Sequence, residues 1–451
     1  MSHAAWDDLP AHPTRWWGLP TLSAMRRDYL AVLARQRTLG DLVAQRLLTE
    51  RAVDVFHPDL VRALMVEQAE AMVRWERGPE VFSDLMGQSV LVTEGATWQR
   101  QRRMLMQAFT PRRVAGYAAL MTAAAVDGLA RVPPGEVAMD RLYSHLTMDV
   151  ISRTLFSTPI GDDTAAAADA VQVLSETALA EMFWPMTLPD WLPLPGKAAK
   201  RRASRLLHGL LAGHIHARRD TADERPDLLG MLKALRDENT GEALSAQEIY
   251  DQCMVSFQAG HETSATALLW WSWLLATHPE AQARARAEVD AVLAGRVPTA
   301  DDAATLPWLS ATLKEAMRLY PPVAALMTRR LTRAVMVAGV RLPARTLVRV
   351  TPWLLHRDPR WWPEAEAFRP ERFLEGAPEI PRGAYIPFGL GPRVCLGQHF
   401  AVLEMTLIAA LLLQRFTLSP MGDTPPKPRM AVTLRPEGGL TLRLAARVKQ
   451  A

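Results

Sequence analysis

The stretch FGLGPRVCLG, residues 388–397, sets one cysteine, Cys395, among glycines and just ahead of a long apolar pattern of helical period. A thiol at a helix start meets free backbone amides and the positive end of the helix dipole, and both favour the thiolate. Gly389, Gly391 and Gly397 let the backbone approach the sulfur and a bound ligand closely. The pattern predicts a thiolate that ligates a metal ion. The alternative is a structural cysteine in a glycine-rich turn.

The composition is that of a globular protein of a reducing compartment. Of the 451 residues, 49% are hydrophobic and 22% are charged, which allows a large buried core. Two cysteines, Cys253 and Cys395, exclude a disulfide framework and a cysteine-rich zinc module. The first residues lack the features of a signal peptide, and no apolar run reaches the ~18 residues that a transmembrane helix needs. We therefore expect a cytoplasmic protein without a membrane anchor.

The basic residues give little indication of a nucleic-acid partner. The net charge is only +4, although arginines concentrate over residues 100–113. No aromatic interleaving or known binding module accompanies this cluster, so we expect no nucleic acid to bind. The cluster is either a solvated helix face or a docking surface for an acidic protein.

Apolar residues recur at helical spacing over most of the chain, and strand-like stretches are few and short. This predicts a mainly α fold with small β-sheets. We expect a single domain over residues 31–451, preceded by an N-terminal extension, residues 1–30. Residues 335–340 and 347–350 are predicted to form one small sheet. Residues 432–434 and 440–444 are predicted to form a hairpin around the turn 436–439.

Three helices can be placed from local signals. Ser245 and Glu248 have the spacing of a capping box, and no proline follows until Pro279, which predicts a helix of about 30 residues and about 45 Å. A second helix begins near Pro307 and is ended by the prolines at 321 and 322. A third follows the cysteine over residues 396–416.

The long helix carries an unusual polar segment, Ala259-Gly260-His261-Glu262-Thr263. An acid, a hydroxyl and a glycine in mid-helix are locally unfavourable, and the flanking residues are too apolar for a solvent-facing patch. Small residues leave room for a small ligand, and a polar side chain there can guide protons. His261 is interpreted as a helix-face residue, not as a metal ligand.

Two further motifs precede the cysteine. Glu315 and Arg318 lie three residues apart, hence on one helix face, where they can pair. Trp98 and Arg102 lie four apart on another helix, which suits the edge of an amphipathic ligand. The segment 368–373, with Arg372, follows the first pair.

Together these motifs resemble the cytochrome P450 family. The segment 388–397 matches the haem-binding loop of that family at every signature position, and the other motifs follow in the family's order from about residue 30 to the C-terminus. The resemblance implies haem b, with Cys395 as the axial metal ligand. It implies that haem contacts come from Trp98, Arg102, Arg329, Phe388, Arg393, Cys395, Gly397, Ala259 and Gly260. For the propionate contact, the choice between Arg329 and Arg330 stays open.

The resemblance also implies roles for other residues. Thr263 and Glu262 are the expected catalytic pair that handles dioxygen and its protons. Glu315, Arg318 and Arg372 are the expected buried charge network, which holds the segment carrying the cysteine. The expected substrate pocket comprises Ser89, Val90, Phe183, Phe257, Gln258, Ala325, Leu326 and Leu440.

The implied activity is monooxygenation: one atom of O2 enters a hydrophobic small molecule and the other leaves as water. No flavin or iron–sulfur module is evident, so electrons are expected from a separate ferredoxin or flavodoxin with its reductase. Two alternatives remain. One is a peroxide-driven peroxygenase of the same fold, which usually lacks the acid–alcohol pair. The other is a non-enzymatic haem protein that binds or senses a small molecule.

Overall fold

The computed structural model describes residues 4–11, 16–159, 161–184, 186–218, 225, 227–325 and 328–447. No helix in these ranges is both long enough and apolar enough to cross a membrane. The helices of the first half are α1 Leu19–Arg27, α2 Tyr29–Arg37, α3 Pro58–Arg62, α4 Arg77–Met86, α5 Gly95–Ala108, α6 Pro111–Gly116, α7 Ala118–Ala130, α8 Met139–Phe156, α9 Thr164–Met182 and α10 Lys197–His216. Those of the second half are α11 Leu228–Ala234, α12 Ala246–Thr277, α13 Pro279–Leu293, α14 Ala300–Ala303, α15 Pro307–Leu319, α16 Pro352–Leu355 and α17 Gln398–Arg415.

The strands are short and scattered between the helices, as expected for a mainly α fold. They are β1 Ala4–Ala5, β2 Leu42–Leu47, β3 Glu50–Val55, β4 Met72–Arg74, β5 Gly135–Ala138, β6 Arg329–Leu331, β7 Val335–Val337, β8 Val340–Leu342, β9 Leu347–Val350, β10 Phe416–Pro420, β11 Pro428–Met430, β12 Leu434–Pro436 and β13 Thr441–Ala446. Over the described residues they form four sheets, ordered β2-β3-β9-β6-β4, β1-β8-β7, β10-β13-β5 and β11-β12.

Both predicted strand pairings are wrong. Strand β7 turns back directly onto β8, because Ala338 and Gly339 both adopt left-handed backbone and close a two-residue turn. Strand β9 instead lies inside the five-stranded sheet, where all four of its residues are buried. Strand β12 pairs with β11, while β13 pairs with β10 and β5. Leu440, directly before β13, accepts a hydrogen bond from the Met139 amide at 2.8 Å.

The long helix α12 is confirmed. It spans 32 residues and begins at the predicted capping box, in which Ser245 and Glu248 bond each other's backbone amides. Its C-terminal half is buried almost throughout. Trp271 of this helix donates to the Thr312 hydroxyl of α15 at 2.9 Å. The predicted helix at Pro307 is also confirmed as α15, and together the two helices form the centre of the core.

The helix after the cysteine is shorter than predicted. It begins at Gln398, because residues 391–393 form one tight helical turn and Val394 is extended. It ends at Arg415, and Phe416 already belongs to β10, opposite Ala446. Cys395 therefore lies in the short turn just before α17.

Candidate active site

An internal cavity of about 420 Å³ lies among α4, α5, α9, α12 and α17. This volume is in the usual range for small-molecule sites. Cys395 lines it together with Thr263 and Glu262 of the polar segment in α12. Most other lining side chains are apolar, among them Phe82, Leu85, Met86, Leu91, Leu105, Val171, Leu174, Val255, Val323 and Val432. The structure therefore brings the predicted thiol and the predicted acid–alcohol pair to one apolar space.

The cysteine loop is fixed by its own backbone. The Cys395 amide donates to the Phe388 carbonyl at 2.9 Å, and the Val394 amide donates to the Gly391 carbonyl at 3.0 Å. Gly391 has left-handed backbone, and a Cβ there would lie 2.0 Å from the Met65 carbonyl oxygen. Glycine is therefore required at this position. By contrast, a Cβ at Gly389 or Gly397 would meet only open space.

The Cys395 side chain lies deep in the molecule, but protein atoms do not cover it, because it faces the cavity. Burial raises the pKa of its thiol, while a backbone hydrogen bond from Gly397 and the charge of Arg102 lower it. The sequence predicted a thiol that ionises easily. In the protein alone, desolvation raises the pKa of the thiol more than its surroundings lower it. A metal cation at the sulfur reverses this balance, because coordination deprotonates a thiol. Cys253, fully buried in α12, has its pKa raised to about 12 by burial and is structural.

Four guanidinium groups line the same cavity, those of Arg74, Arg102, Arg329 and Arg393. Burial lowers the pKa of all four, that of Arg329 to about 10 and that of Arg393 to about 9, and Arg74 adds like-charge repulsion to both. Glu94 pairs with two of them, Arg74 at 3.2 Å and Arg393. Arg393 also stacks on Trp98, with 3.6 Å between its Cζ and the ring centroid. This excess of buried positive charge suits an anionic ligand.

Three neighbouring side chains bind the carboxylate of Glu262 in α12. Glu262 is buried, and its Oε1 accepts hydrogen bonds from Ser175 of α9 at 2.9 Å and from Thr433 at 2.8 Å. Arg435 lies 3.3 Å from the same oxygen. The Thr263 hydroxyl donates to the Ala259 carbonyl at 3.0 Å. The carboxylate thus links α12 to α9 and to the β11–β12 hairpin.

Comparisons with known proteins show the family of the chain. The family model "Cytochrome P450" matches residues 10–443. Cyclooctatin synthase from Streptomyces melanosporofaciens is 36% identical, over 94% of this chain and 95% of that protein. Cyclooctat-9-en-7-ol 5-monooxygenase from the same organism is 34% identical over 90% and 88% of the two chains. Pentalenene oxygenase from Streptomyces avermitilis is 33% identical over 94% of each.

The chain belongs to the cytochrome P450 family. It is an oxygen-incorporating oxidoreductase, as members of the family are, and the family implies haem held by a cysteine thiolate. The residues of this cytochrome P450 fit haem b. A thiol faces the cavity, glycines beside it leave open space for a flat ring, and a group of buried arginines suits two propionates.

Two neighbouring arginines of β6 point in different directions. Arg329 lines the cavity. Arg330 lies on the other face of the strand, where it bonds Glu50 at 2.9 Å and Glu76 at 2.7 Å. This alternation follows from the period of two in a strand. Of the pair, only Arg329 faces the space that haem would fill.

The charge network around α15 is buried and fully bonded in this cytochrome P450. Arg318 makes two hydrogen bonds of 2.7 Å to Glu315, and neither side chain is exposed. Its other donors reach the carbonyls of His356, Ala365 and Ala367. Arg372 lies 3.4 Å from Glu315 and is slightly exposed. The structure therefore brings the three residues together, and Arg318 ties α15 to the irregular segment 356–372.

The cavity lining differs from the predicted pocket at most positions. Val90 and Gln258 line it, whereas Leu326 lies outside the described residues. The described lining does not include Ser89, Phe183, Phe257, Ala325 or Leu440. Phe183 packs on Tyr29 with 5.8 Å between ring centroids. Ser89, Phe257 and Leu440 are buried in the core, and Ala325 is half-buried beside the undescribed segment.

Sequence reasoning missed Arg74, Glu94, Ser175, Thr433 and Arg435. The first two come from β4 and the turn before α5, and the others come from α9 and the β11–β12 hairpin. None has a local motif, because each reaches the site only through tertiary packing. The excess of arginines over acids in the cavity could be recognised only once the fold was known.

Proposed function

We propose that this cytochrome P450 inserts one oxygen atom from O2 into a hydrophobic small molecule, and that Cys395 would ligate the iron of haem b. The observation that carries the proposal is the convergence of the Cys395 thiol, the Thr263 hydroxyl and the Glu262 carboxylate on one apolar cavity. When bound, haem supplies the activation of oxygen. The protein supplies the ligand, the binding energy, the proton route and the exclusion of water.

The residues that would hold haem fall into two groups. Trp98, Arg102, Arg329 and Arg393 would face the propionates, and Arg74 joins them from β4. Phe388 and Gly397 would flank the sulfur, and Ala259 and Gly260 would give room above the ring. Arginine suits this role, because its planar fork binds carboxylates with two hydrogen bonds.

The α12 segment supports a role in proton transfer. Glu262 holds its carboxylate between the cavity and Arg435, whose side chain is 21% exposed. The Glu262 carboxylate and the Thr263 hydroxyl both line the cavity, and we propose that protons reach the reacting oxygen by way of these two groups. The Thr263 oxygen keeps accepting capacity, because it uses its own hydrogen on the Ala259 carbonyl. Positioned acids of this kind contribute about 10²–10⁴-fold to a rate.

The apolar lining supports a substrate that is mostly hydrocarbon. Two of the relatives are named for cyclooctat-9-en-7-ol and pentalenene, by their names an unsaturated alcohol and an alkene. We propose a substrate of this kind, oxidised at a C–H bond or at the alkene. Optical titration with a panel of such compounds, followed by product analysis of the compounds that shift the haem spectrum, identifies it.

We propose that electrons come from a separate ferredoxin or flavodoxin with its reductase. Within the basic cluster, Arg103 pairs with Asp237 at 2.7 Å, and Arg100 pairs with Glu248. Arg112 and Arg113 are exposed at the start of α6, so they are the residues of the cluster best placed to attract an acidic partner.

Aerobic turnover with NADPH, a ferredoxin and its reductase tests the proposed function. The expected product contains one atom from ¹⁸O2, and Thr263→Ala consumes electrons but forms much less of it. Thr277→Ala, at the end of the same helix, is the matched control and keeps the wild-type product yield. Product that forms only with hydrogen peroxide, and equally well in Thr263→Ala, contradicts the proposal.

A further inference from the structure

The face of α9 that lines the cavity is apolar except for one serine. It consists of Val171, Leu174, Ser175 and Ala178, whose spacing places them on one side of the helix. The β11–β12 hairpin also lines the cavity, through Thr433. None of the residues assigned above to haem lies on α9 or in this hairpin. This wall is therefore available to a substrate.

The Ser175 hydroxyl keeps unused accepting capacity. It is buried, and it donates its only hydrogen to Glu262 Oε1 at 2.9 Å. A hydroxyl oxygen also has two lone pairs that can accept hydrogen bonds. Within the described parts of the chain, no group donates a hydrogen bond to Ser175 Oγ. Because Ser175 lines the cavity, a donor for this oxygen can come from a molecule bound there.

The second hydroxyl on the same carboxylate differs in this respect. Thr433 Oγ1 donates to Glu262 Oε1 at 2.8 Å, but it also accepts a hydrogen bond from Arg435 Nε at 3.3 Å. Ser175 accepts no such bond, so its oxygen has more accepting capacity left than that of Thr433. Donation to a carboxylate also polarises the Ser175 hydroxyl and strengthens its oxygen as an acceptor. The wall thus presents an acceptor among apolar side chains.

We propose that Ser175 selects substrates that carry a hydroxyl group on a hydrocarbon frame, and that this hydroxyl donates a hydrogen bond to Ser175 Oγ. A ketone of the same frame can only accept, so it would bring its lone pairs against those of Ser175. A site built to bind a hydroxyl discriminates against an analogue that leaves its polar group unpaired. Leu174 and Ala178 would contact the hydrocarbon beside it. The inference rests on the proposed function, because it narrows the substrate class to hydrophobic alcohols.

Calorimetric titration of the ferric, haem-loaded protein with 2-adamantanol and 2-adamantanone tests the proposal, since the two compounds share one rigid frame. We expect the wild type to bind the alcohol about tenfold more tightly than the ketone, the effect of one hydrogen bond. Ser175→Ala is expected to weaken binding of the alcohol about tenfold and to leave binding of the ketone unchanged. Ser175→Thr retains the hydroxyl and is expected to retain the preference.

Thr433→Val is the matched control, because it removes the other hydroxyl that binds Glu262 Oε1. It is expected to keep the wild-type preference for the alcohol. Equal binding of the two compounds by the wild type overturns the proposal, as do failure of the alcohol to bind and loss of the preference in Thr433→Val.

Product analysis under ¹⁸O2 separates this inference from the proposed function. If the two compounds bind equally but are still oxidised with one labelled atom, the role of Ser175 is wrong and the proposed function stands. If the alcohol is preferred through Ser175 but no labelled product forms, hydroxyl recognition is supported and the proposed function is contradicted.

Discussion

At the scale of single residues, the site places more arginines than acids around its cavity. Four arginines line one cavity, and their pKa values are lowered by burial. The thiol of Cys395 has a raised pKa for the same reason. An anionic cofactor that carries a metal cation would add negative charge beside the arginines and a cation beside the sulfur, which favours the charged forms of both. The apoprotein is therefore expected to be less stable than the haem-loaded protein.

The neighbouring arginines of β6 give a residue-level prediction. Arg329→Leu removes a hydrogen-bond donor that faces the cavity. We expect haem to dissociate roughly tenfold faster, because one charge-assisted hydrogen bond is lost. Arg330→Leu is the matched control. It breaks the pairs with Glu50 and Glu76 and lowers the free energy of unfolding, but leaves the haem dissociation rate close to the wild-type value. Transfer of haem to apomyoglobin measures that rate. Equal rates in both variants contradict the assignment.

Glu404 gives a prediction on pH. This residue of α17 is fully buried, and burial raises the pKa of its carboxyl from 4.5 to about 8. The unfolded chain releases this proton near the lower value and the folded protein only near the upper one. Stability is therefore full below the lower value and falls as the pH rises towards the upper one.

We expect the wild type to lose about 2 kcal/mol of unfolding free energy between about pH 6 and pH 8 through this group. Glu404→Gln cannot ionise, so it is expected to lose much less over the same interval. Urea denaturation at the two pH values measures the difference. A wild type and variant with parallel pH dependence would show that the carboxyl is already charged.

At the scale of elements, local signals predicted the helices, and non-local contacts decided the sheets. Helices α12 and α15 followed from a capping box and from prolines, which act within a few residues. Strand partners could not be predicted in this way. Strand β9 pairs with β3, almost 300 positions away, and β13 pairs with β5, just over 300 positions away. Pairing over such distances depends on how the helices pack, and the sequence pattern of a short strand does not contain it.

The α15 network gives a prediction at this scale. Arg318→Met leaves the buried Glu315 with only the Arg369 amide and the more distant Arg372 guanidinium, and it frees three backbone carbonyls. We expect a loss of about 3–5 kcal/mol in unfolding free energy. Arg372→Met is the matched control, because that side chain is partly exposed and 3.4 Å from Glu315, and it is expected to cost much less. Urea midpoints of the haem-loaded proteins compare them. Equal losses would mean that the network acts as one unit.

At the scale of the whole molecule, the sequence motifs predicted which polar residues meet. They did not predict the apolar residues that line the cavity around them. Cys395, Thr263 and Glu262 were predicted from sequence, because each belongs to a short motif. Most of the pocket residues could not be predicted from sequence. Apolar residues such as Phe183 and Leu440 pack in the core as readily as around a cavity. Arg74 and Ser175 came to the site only through the fold.

Partner docking is tested at this scale. Arg112→Glu with Arg113→Glu is expected to slow reduction by ferredoxin severalfold at low salt, with the difference shrinking as salt rises. Haem content stays unchanged. Arg341→Glu with Arg429→Glu, also exposed, is the matched control for net charge and is expected to keep the wild-type rate. Equal slowing in both double variants would contradict docking at Arg112 and Arg113, because it would show that only the net charge of the protein affects the reduction rate.

The central claim is that Cys395 ligates the haem iron as a thiolate. The difference spectrum of the dithionite-reduced protein with carbon monoxide tests it most directly. We expect the strongly red-shifted Soret band of thiolate ligation in the wild type, and its loss in Cys395→Ser. A Soret band at the ordinary position of histidine-ligated haem in the wild type, or a red-shifted band that persists in Cys395→Ser, contradicts the claim.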